Sequence, residues 1–347
     1  MQNCVSSRPS GGTGDRAPLF APLPEDPYNE VESRRWQRGY CSSLSHGESL
    51  ISGDKIRKTL LRRFPEGDLP PTRYSLIMEV TACGPAFSHL LKPTATPCKK
   101  YDDLVDAEDA SQAEYFNVQY AEMFQVLGEG TGIANFSYKN INKVYDVHRE
   151  LIHGMVDKQP SWVFKYWPQY NNRSTMDIVT ELRTIRMITK FNSTEKARMI
   201  GGNLLDNWVK NAQLVANGTM DKPKKMLLYS SHDGTALALM YAMGVGNDLM
   251  IPYASALIME IYKDGNDHTV ELLYRNDTSR PAYSLDIPGC GSPCTVSKMA
   301  DIYSNVVVGS YGAQQEMCGT PIVLCSGSST LYSYLIGTML MIKLKFS

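Results

Sequence analysis

Between about residues 101 and 215 apolar side chains recur at helical spacing, as in Ile178, Leu182 and Ile185 and again in Leu204, Leu205, Trp208, Val209 and Ala212. Strand-like alternation is missing from this stretch, so a helical subdomain is expected there. Upstream, GDKIRKTLLRRF at 53–64 sets Ile56, Leu60 and Leu61 on one face and basic residues on the other, an amphipathic helix ended by Pro65 and Gly67. Residues 1–45, rich in Pro, Gly, Ser and charge, predict a long irregular loop. At Lys225 the period changes: Met226, Leu227, Leu228 and Tyr229 form a short unbroken apolar run, and Ser230, Ser231, His232, Asp233 and Gly234 open a helix of small residues. Two further strands are expected at 256–262 and 269–274, joined through 263–267 by a hairpin turn at Asp264-Gly265. Strands of both senses predict a mixed sheet. In doubly wound sheets ligands meet the carboxyl ends of parallel strands, which is where His232 and Asp233 stand.

Charge narrows the function. With 35 Lys+Arg against 36 Asp+Glu and no long run of one sign, the chain has no electrostatic footprint for nucleic acid or an anionic membrane surface. Its cysteines, at 4, 41, 83, 98, 290, 294, 318 and 325, lack zinc-ligand spacing, so disulfides are the better reading. Five Asn-X-Ser/Thr triplets, at Asn135, Asn172, Asn192, Asn217 and Asn276, agree with an oxidising, glycosylating compartment. The opening MQNCVSSRPSGGTGDR has neither a basic nor an apolar signal region, so no signal peptide is expected in the sequence as it stands. The uncharged stretch at 322–342 is just long enough to cross a bilayer and precedes Lys343 and Lys345; an apolar C-terminal helix on the domain accounts for it equally well.

The segments LLYSSHDGTALALMYAMGV (227–245), IPYASALIMEIY (251–262) and YRND (274–277) resemble the C-terminal half of histidine acid phosphatases. Further landmarks are WQRGY (36–40), PSW (160–162), ELR (181–183) and the Gly201-Gly202 pair, so the resemblance covers roughly residues 15–320. It implies an α/β fold, a Rossmann-like doubly wound mixed sheet carrying an inserted α-helical cap. The core would comprise 1–95 and 217–320, the cap 96–216. It also implies the disulfides Cys290–Cys294, in IPGCGSPC, and Cys98–Cys318.

In that family a histidine attacks phosphorus and the phosphohistidine is then hydrolysed, without metal or cofactor. The resemblance makes Asp233 the proton donor to the leaving alcohol and His232 a hydrogen-bond donor to the phosphoryl group. An isolated His-Asp dipeptide reads more simply as a capped helix start, and the flanking match is what favours the chemical role. The nucleophile motif, Arg-His-Gly-x-Arg-x-Pro, corresponds to GTGDRAP at 12–18: Arg16 remains as a phosphate ligand, Thr13 replaces the nucleophile and Gly12 the first arginine. Threonine without an adjacent base is a poor nucleophile, and Gly12 removes a bidentate phosphate ligand, so catalysis as written should be very weak. A phosphate-binding segment expected after the first helix is replaced by FPEGDLPP (64–71), and Arg73 is read as a solvated surface residue. One hypothesis covers the first departure. If Pro9 to Gly14 were encoded CCG TCT GGC GGC ACG GGN, reading from the third base gives Val-Trp-Arg-His-Gly, so a frame or exon-boundary shift would restore the motif.

The expected function is therefore phosphomonoester hydrolysis at acid pH on a small phosphomonoester or phosphorylated substrate. The rival is a pseudophosphatase that binds phosphorylated ligands or a protein partner. The expected location is the secretory pathway, whether extracellular, lysosomal or membrane-anchored with a lumenal domain; a homodimer is left open. His46, His89, His148, His153 and His268 read as surface or structural histidines, Met240 and Met243 as core filling, and WVFKYWPQY (162–170) as cap packing.

Overall fold

The computed structural model describes residues 74–78, 88–91, 93–152, 154–221 and 226–320. The features expected at 1–45, 53–64 and 322–342, together with Arg73, His46, His153, Cys4, Cys41, Cys83 and Cys325, lie outside the described residues. Strand β1 (Tyr74–Met78) is followed by helices α1 (Ser88–Leu91), α2 (Lys99–Gln119), α3 (Ala121–Thr131) and α4 (Ile141–Ile152). A short ribbon of β2 (Tyr166–Trp167) and β3 (Arg173–Ser174) leads into α5 (Thr175–Ile188) and α6 (Thr194–Ala216). Then come β4 (Met226–Ser230), α7 (Asp233–Ala242), β5 (Ala256–Asp264), β6 (Asp267–Arg275), β7 (Tyr283–Leu285), β8 (Cys294–Thr295), α8 (Val296–Tyr303) and α9 (Tyr311–Met317).

The α/β class is borne out. Its parallel part is β1 beside β4, in register from Tyr74 opposite Met226 to Met78 opposite Ser230. Among the described residues the antiparallel strands form a separate sheet, β5-β6-β7, with β8 also on β6. The hairpin is tighter than expected: Asp264 pairs with Asp267, so the strands extend into 263–267 and the loop is Gly265-Asn266. Two-residue loops match the twist of the paired strands, and Gly265 takes the left-handed backbone, φ 58°, that such a turn needs.

Local signals start the central helices. Ser174 accepts from the Asp177 amide at 3.1 Å while its own amide donates to Asp177 Oδ2 at 3.2 Å, a reciprocal cap on α5. Ser193 caps α6 by accepting from the Lys196 amide. The apolar faces then pack into distinct clusters. Met123, Leu127, Ile141, Val144, Trp162, Trp167, Ile178 and Leu182 bury one another within the helical stretch. Leu204, Leu205, Trp208, Leu239, Met243, Val270, Leu272 and Met299 join α6, α7, α8 and β6 in another. Met240 is buried too, as core filling requires. The 162–170 stretch divides: Trp162 and Trp167 are buried, whereas Phe164 and Tyr166 are exposed.

The Gly201-Gly202 pair sits where α6 is squeezed from both sides. A Cβ at Gly201 would come within 2.2 Å of the Ala238 carbonyl oxygen on α7; one at Gly202 would come within 2.8 Å of the Val306 carbonyl oxygen. Cys98 is bonded to Cys318 across 220 residues of sequence, and Cys290 to Cys294 across four, the two pairings the resemblance implies. Lys196, 1% exposed, is compensated by Glu108 at 2.7 Å, Asn192 Oδ1 at 2.9 Å and the Thr189 carbonyl. His148 is half-buried and stacks on Tyr145 at 5.5 Å; burial lowers its pKa. Among the described residues no helix is long and apolar enough to cross a membrane.

Because the α6–α7 contact leaves no room for a methyl group, Gly201→Ala should cost about 1–3 kcal/mol in urea unfolding, the usual penalty of overpacking. Gly309→Ala, where nothing lies within 4 Å, is the control and should be neutral or slightly stabilising. Equal stability of the two variants would contradict the close contact.

Candidate active site

The chain leaves β4 through residues whose local chemistry sets its direction. His232, with extended backbone at φ −101° and ψ 165°, is the N-cap of α7, and its carbonyl accepts from the amides of Thr235 at 3.1 Å and Ala236 at 3.2 Å. Its imidazole makes no capping bond and is exposed. Asp233 is the first helical residue, half-buried, with Oδ1 accepting from the Gly234 amide at 2.8 Å. The cap position thus belongs to His232, and Asp233 sits in the first turn, where the positive end of the helix dipole favours negative charge. Parallel pairing brings Met78 of β1 opposite Ser230, so both strands end at this level.

Two hydroxyls lock this corner to α1. Ser231 Oγ and the buried Thr235 Oγ1 each donate to the Leu91 carbonyl at 2.6 Å. The end of α5 closes the other flank: a Cβ at Gly234 would meet Phe191 Cζ at 3.7 Å and Met187 Cε at 3.8 Å, ordinary packing distances. Lys190, half-buried, lies between those two residues in sequence. Burial lowers its pKa most, Arg183 and Arg186 lower it further, and Asp109 and Asp233 oppose them. Arg186 is itself engaged, donating to Asp109 at 2.7 and 3.2 Å and to the Lys139 carbonyl at 2.9 Å.

Of the residues the sequence nominated, His232 and Asp233 stand together at the end of β4; Thr13 and Arg16 lie outside the described residues. The ties that Ser231 and Thr235 make to the Leu91 carbonyl were missed, because their partner lies 140 and 144 residues away in sequence. Of the glycosylation triplets, Asn135, Asn172, Asn192 and Asn217 are exposed and Asn276 is half-buried.

Residues 77–275 match the model of the histidine phosphatase superfamily (branch 2). The chain is 28% identical over 337 residues to the lysosomal acid phosphatase of Rattus norvegicus, covering 85% of this chain and 76% of that protein. It is 35% identical over 287 residues to the prostatic acid phosphatase of Rattus norvegicus, covering 79% and 73%. With the lysosomal acid phosphatase of Xenopus laevis it shares 28% identity over 234 residues, 67% of this chain and 52% of that protein. The chain belongs to the histidine phosphatase superfamily, branch 2. It spans from about half to about three quarters of the length of these relatives.

The shared acceptor at Leu91 makes a specific prediction for a double-mutant cycle in denaturant unfolding. Ser231→Ala and Thr235→Val singly should each cost about 1 kcal/mol, because the other hydroxyl still satisfies the carbonyl. Together they should cost about 1–3 kcal/mol more than the sum, the penalty of an unpaired buried carbonyl. Strict additivity would show that the two hydroxyls do not share this acceptor.

Proposed function

We propose that this chain is an acid-phosphatase-type phosphomonoester hydrolase whose nucleophile motif is degraded. Membership of the histidine phosphatase superfamily supports a phosphomonoester hydrolase function. The observation that carries the reading to particular residues is His232 and Asp233 set side by side at the carboxyl end of β4, at the opening of α7. There His232 donates a hydrogen bond to a phosphoryl oxygen, Arg16 neutralises another, and Asp233 gives its proton to the leaving alcohol as the phosphorus–oxygen bond breaks. A histidine at position 13 would supply the electron pair that forms the new nitrogen–phosphorus bond, and water would then cleave it. Thr13 does not supply that pair, which favours a second reading: a pseudophosphatase that holds phosphorylated ligands without turnover.

In the proposed division, 96–216 is the cap and 1–95 with 217–320 the core, and the α5 end at Met187 and Phe191 is where the cap meets the site. Relatives named lysosomal and prostatic acid phosphatases, with the two disulfides, support the secretory pathway. The exposed Asn135, Asn172, Asn192 and Asn217, with Asn276, are the proposed glycan sites; for 322–342 a membrane anchor and an apolar C-terminal helix stand as equal readings.

Hydrolysis of an aryl phosphate near pH 5 tests the reading by comparing the chain with Thr13→His carrying Gly12→Arg. The double variant should be faster by at least about a hundredfold, the least that restoring an absent nucleophile supplies. Equal turnover in both would refute the role given to position 13. Transcript sequencing across Cys4 to Arg16 decides the frame hypothesis: an in-frame Gly-Thr-Gly would end it and leave the pseudophosphatase reading stronger.

A further inference from the structure

Ser231 and Thr235 stand on either side of the His232-Asp233 dipeptide. Ser231 immediately precedes His232, and Thr235 follows Asp233 by two residues. Both hydroxyls donate to one oxygen, the Leu91 carbonyl, at 2.6 Å each. Leu91 is the last residue of α1, where a carbonyl has no partner in its own helix and two lone pairs to offer. The acceptor is itself fixed, since Leu91 is fully buried in the cluster that holds Leu204 and Leu205 of α6 and Leu239 of α7. Between the two ties the His232 carbonyl accepts from the Thr235 and Ala236 amides. The backbone that carries the imidazole and the carboxyl is therefore bonded on each side to an immovable point.

We propose that Ser231 and Thr235 are positioning residues of the phosphate site, a two-point clamp that holds His232 and Asp233 in one orientation towards a bound phosphoryl group. The inference rests on the roles given to His232 and Asp233 above. A donor that is already ordered binds an oxyanion without the cost of being ordered on binding, so releasing the clamp weakens binding although neither hydroxyl touches the ligand. The two ties are unequal. Ser231 is exposed, and water can partly replace its hydroxyl; Thr235 is buried, and nothing replaces it. Thr235 is thus the stronger half of the clamp.

The test is binding of inorganic phosphate to the full chain at pH 5 by titration calorimetry, each variant first shown to be folded by its urea transition. Ser231→Ala with Thr235→Val should bind phosphate at least about tenfold more weakly, the least that loss of one charge-assisted hydrogen bond costs. Ser231→Thr with Thr235→Ser, which keeps both hydroxyls, should restore the affinity. Leu127→Ala, which empties space in the separate helical cluster, controls for destabilisation alone and should leave the affinity unchanged. Should the double variant fail to fold, Thr235→Val alone serves: it should lose part of the affinity and Thr235→Ser none. Unchanged binding in the hydroxyl-free variants, failure of the hydroxyl-keeping variants to restore it, or an equal loss in Leu127→Ala overturns the clamp and leaves the phosphate site standing. A chain that binds no phosphate overturns the phosphate site, and the clamp with it.

Discussion

The close contact between α6 and α7 is the constraint on which the rest of the structure depends. Gly201 lets the backbone of α6 meet the Ala238 carbonyl of α7, and Gly202 admits the 306–308 segment on the opposite side, where the Val308 amide donates to the Gly202 carbonyl at 3.2 Å. A side chain at either position would push apart helices whose apolar faces, Leu204, Leu205 and Trp208 with Leu239 and Met243, fill one cluster. Cores packed to crystal-like density do not absorb such a displacement. Since α7 begins with Asp233, the contact that fixes the helix also fixes the residue that follows its cap.

From that contact the polar arrangement follows by short steps. The first turn of α7 is tied to the Leu91 carbonyl by Ser231 and Thr235, and its flank is closed by Met187 and Phe191. The turn between α5 and α6 that carries Phe191 is held from beneath by Lys196, whose ammonium gathers Glu108, Asn192 and the Thr189 carbonyl. Breaking a buried set of this kind leaves an uncompensated charge, so the turn has little freedom to move away from Asp233. The helical stretch thus contributes the wall of the site nearest the proposed leaving group, and β4 and α7 contribute the groups that would face phosphorus.

Much of this was legible in the chain where the signal is local. The run at 226–229, the hairpin, the α5 and α6 faces and the His232-Asp233 corner all show in neighbouring residues. Strand β1 did not show. Its five residues follow Pro70, Pro71 and Thr72, and their partner lies about 150 residues away, so nothing nearby announces the pairing. The ties of Ser231 and Thr235 to the Leu91 carbonyl were invisible for a similar reason, since their partner lies 140 and 144 residues away in sequence. The disulfide pairings came from family resemblance, since eight cysteines alone permit many pairings.

The account rests on one claim, that the corner at 231–234 and the segment at 12–18 converge on a pocket for a tetrahedral oxyanion. A crystal of the chain soaked in tungstate, with the metal located by its anomalous scattering, tests it most directly. The account predicts a single strong site at the carboxyl end of β4, within hydrogen-bond reach of His232 and contacted by Arg16. Tungstate bound elsewhere, with Arg16 and Asp233 on separate surfaces, would contradict it.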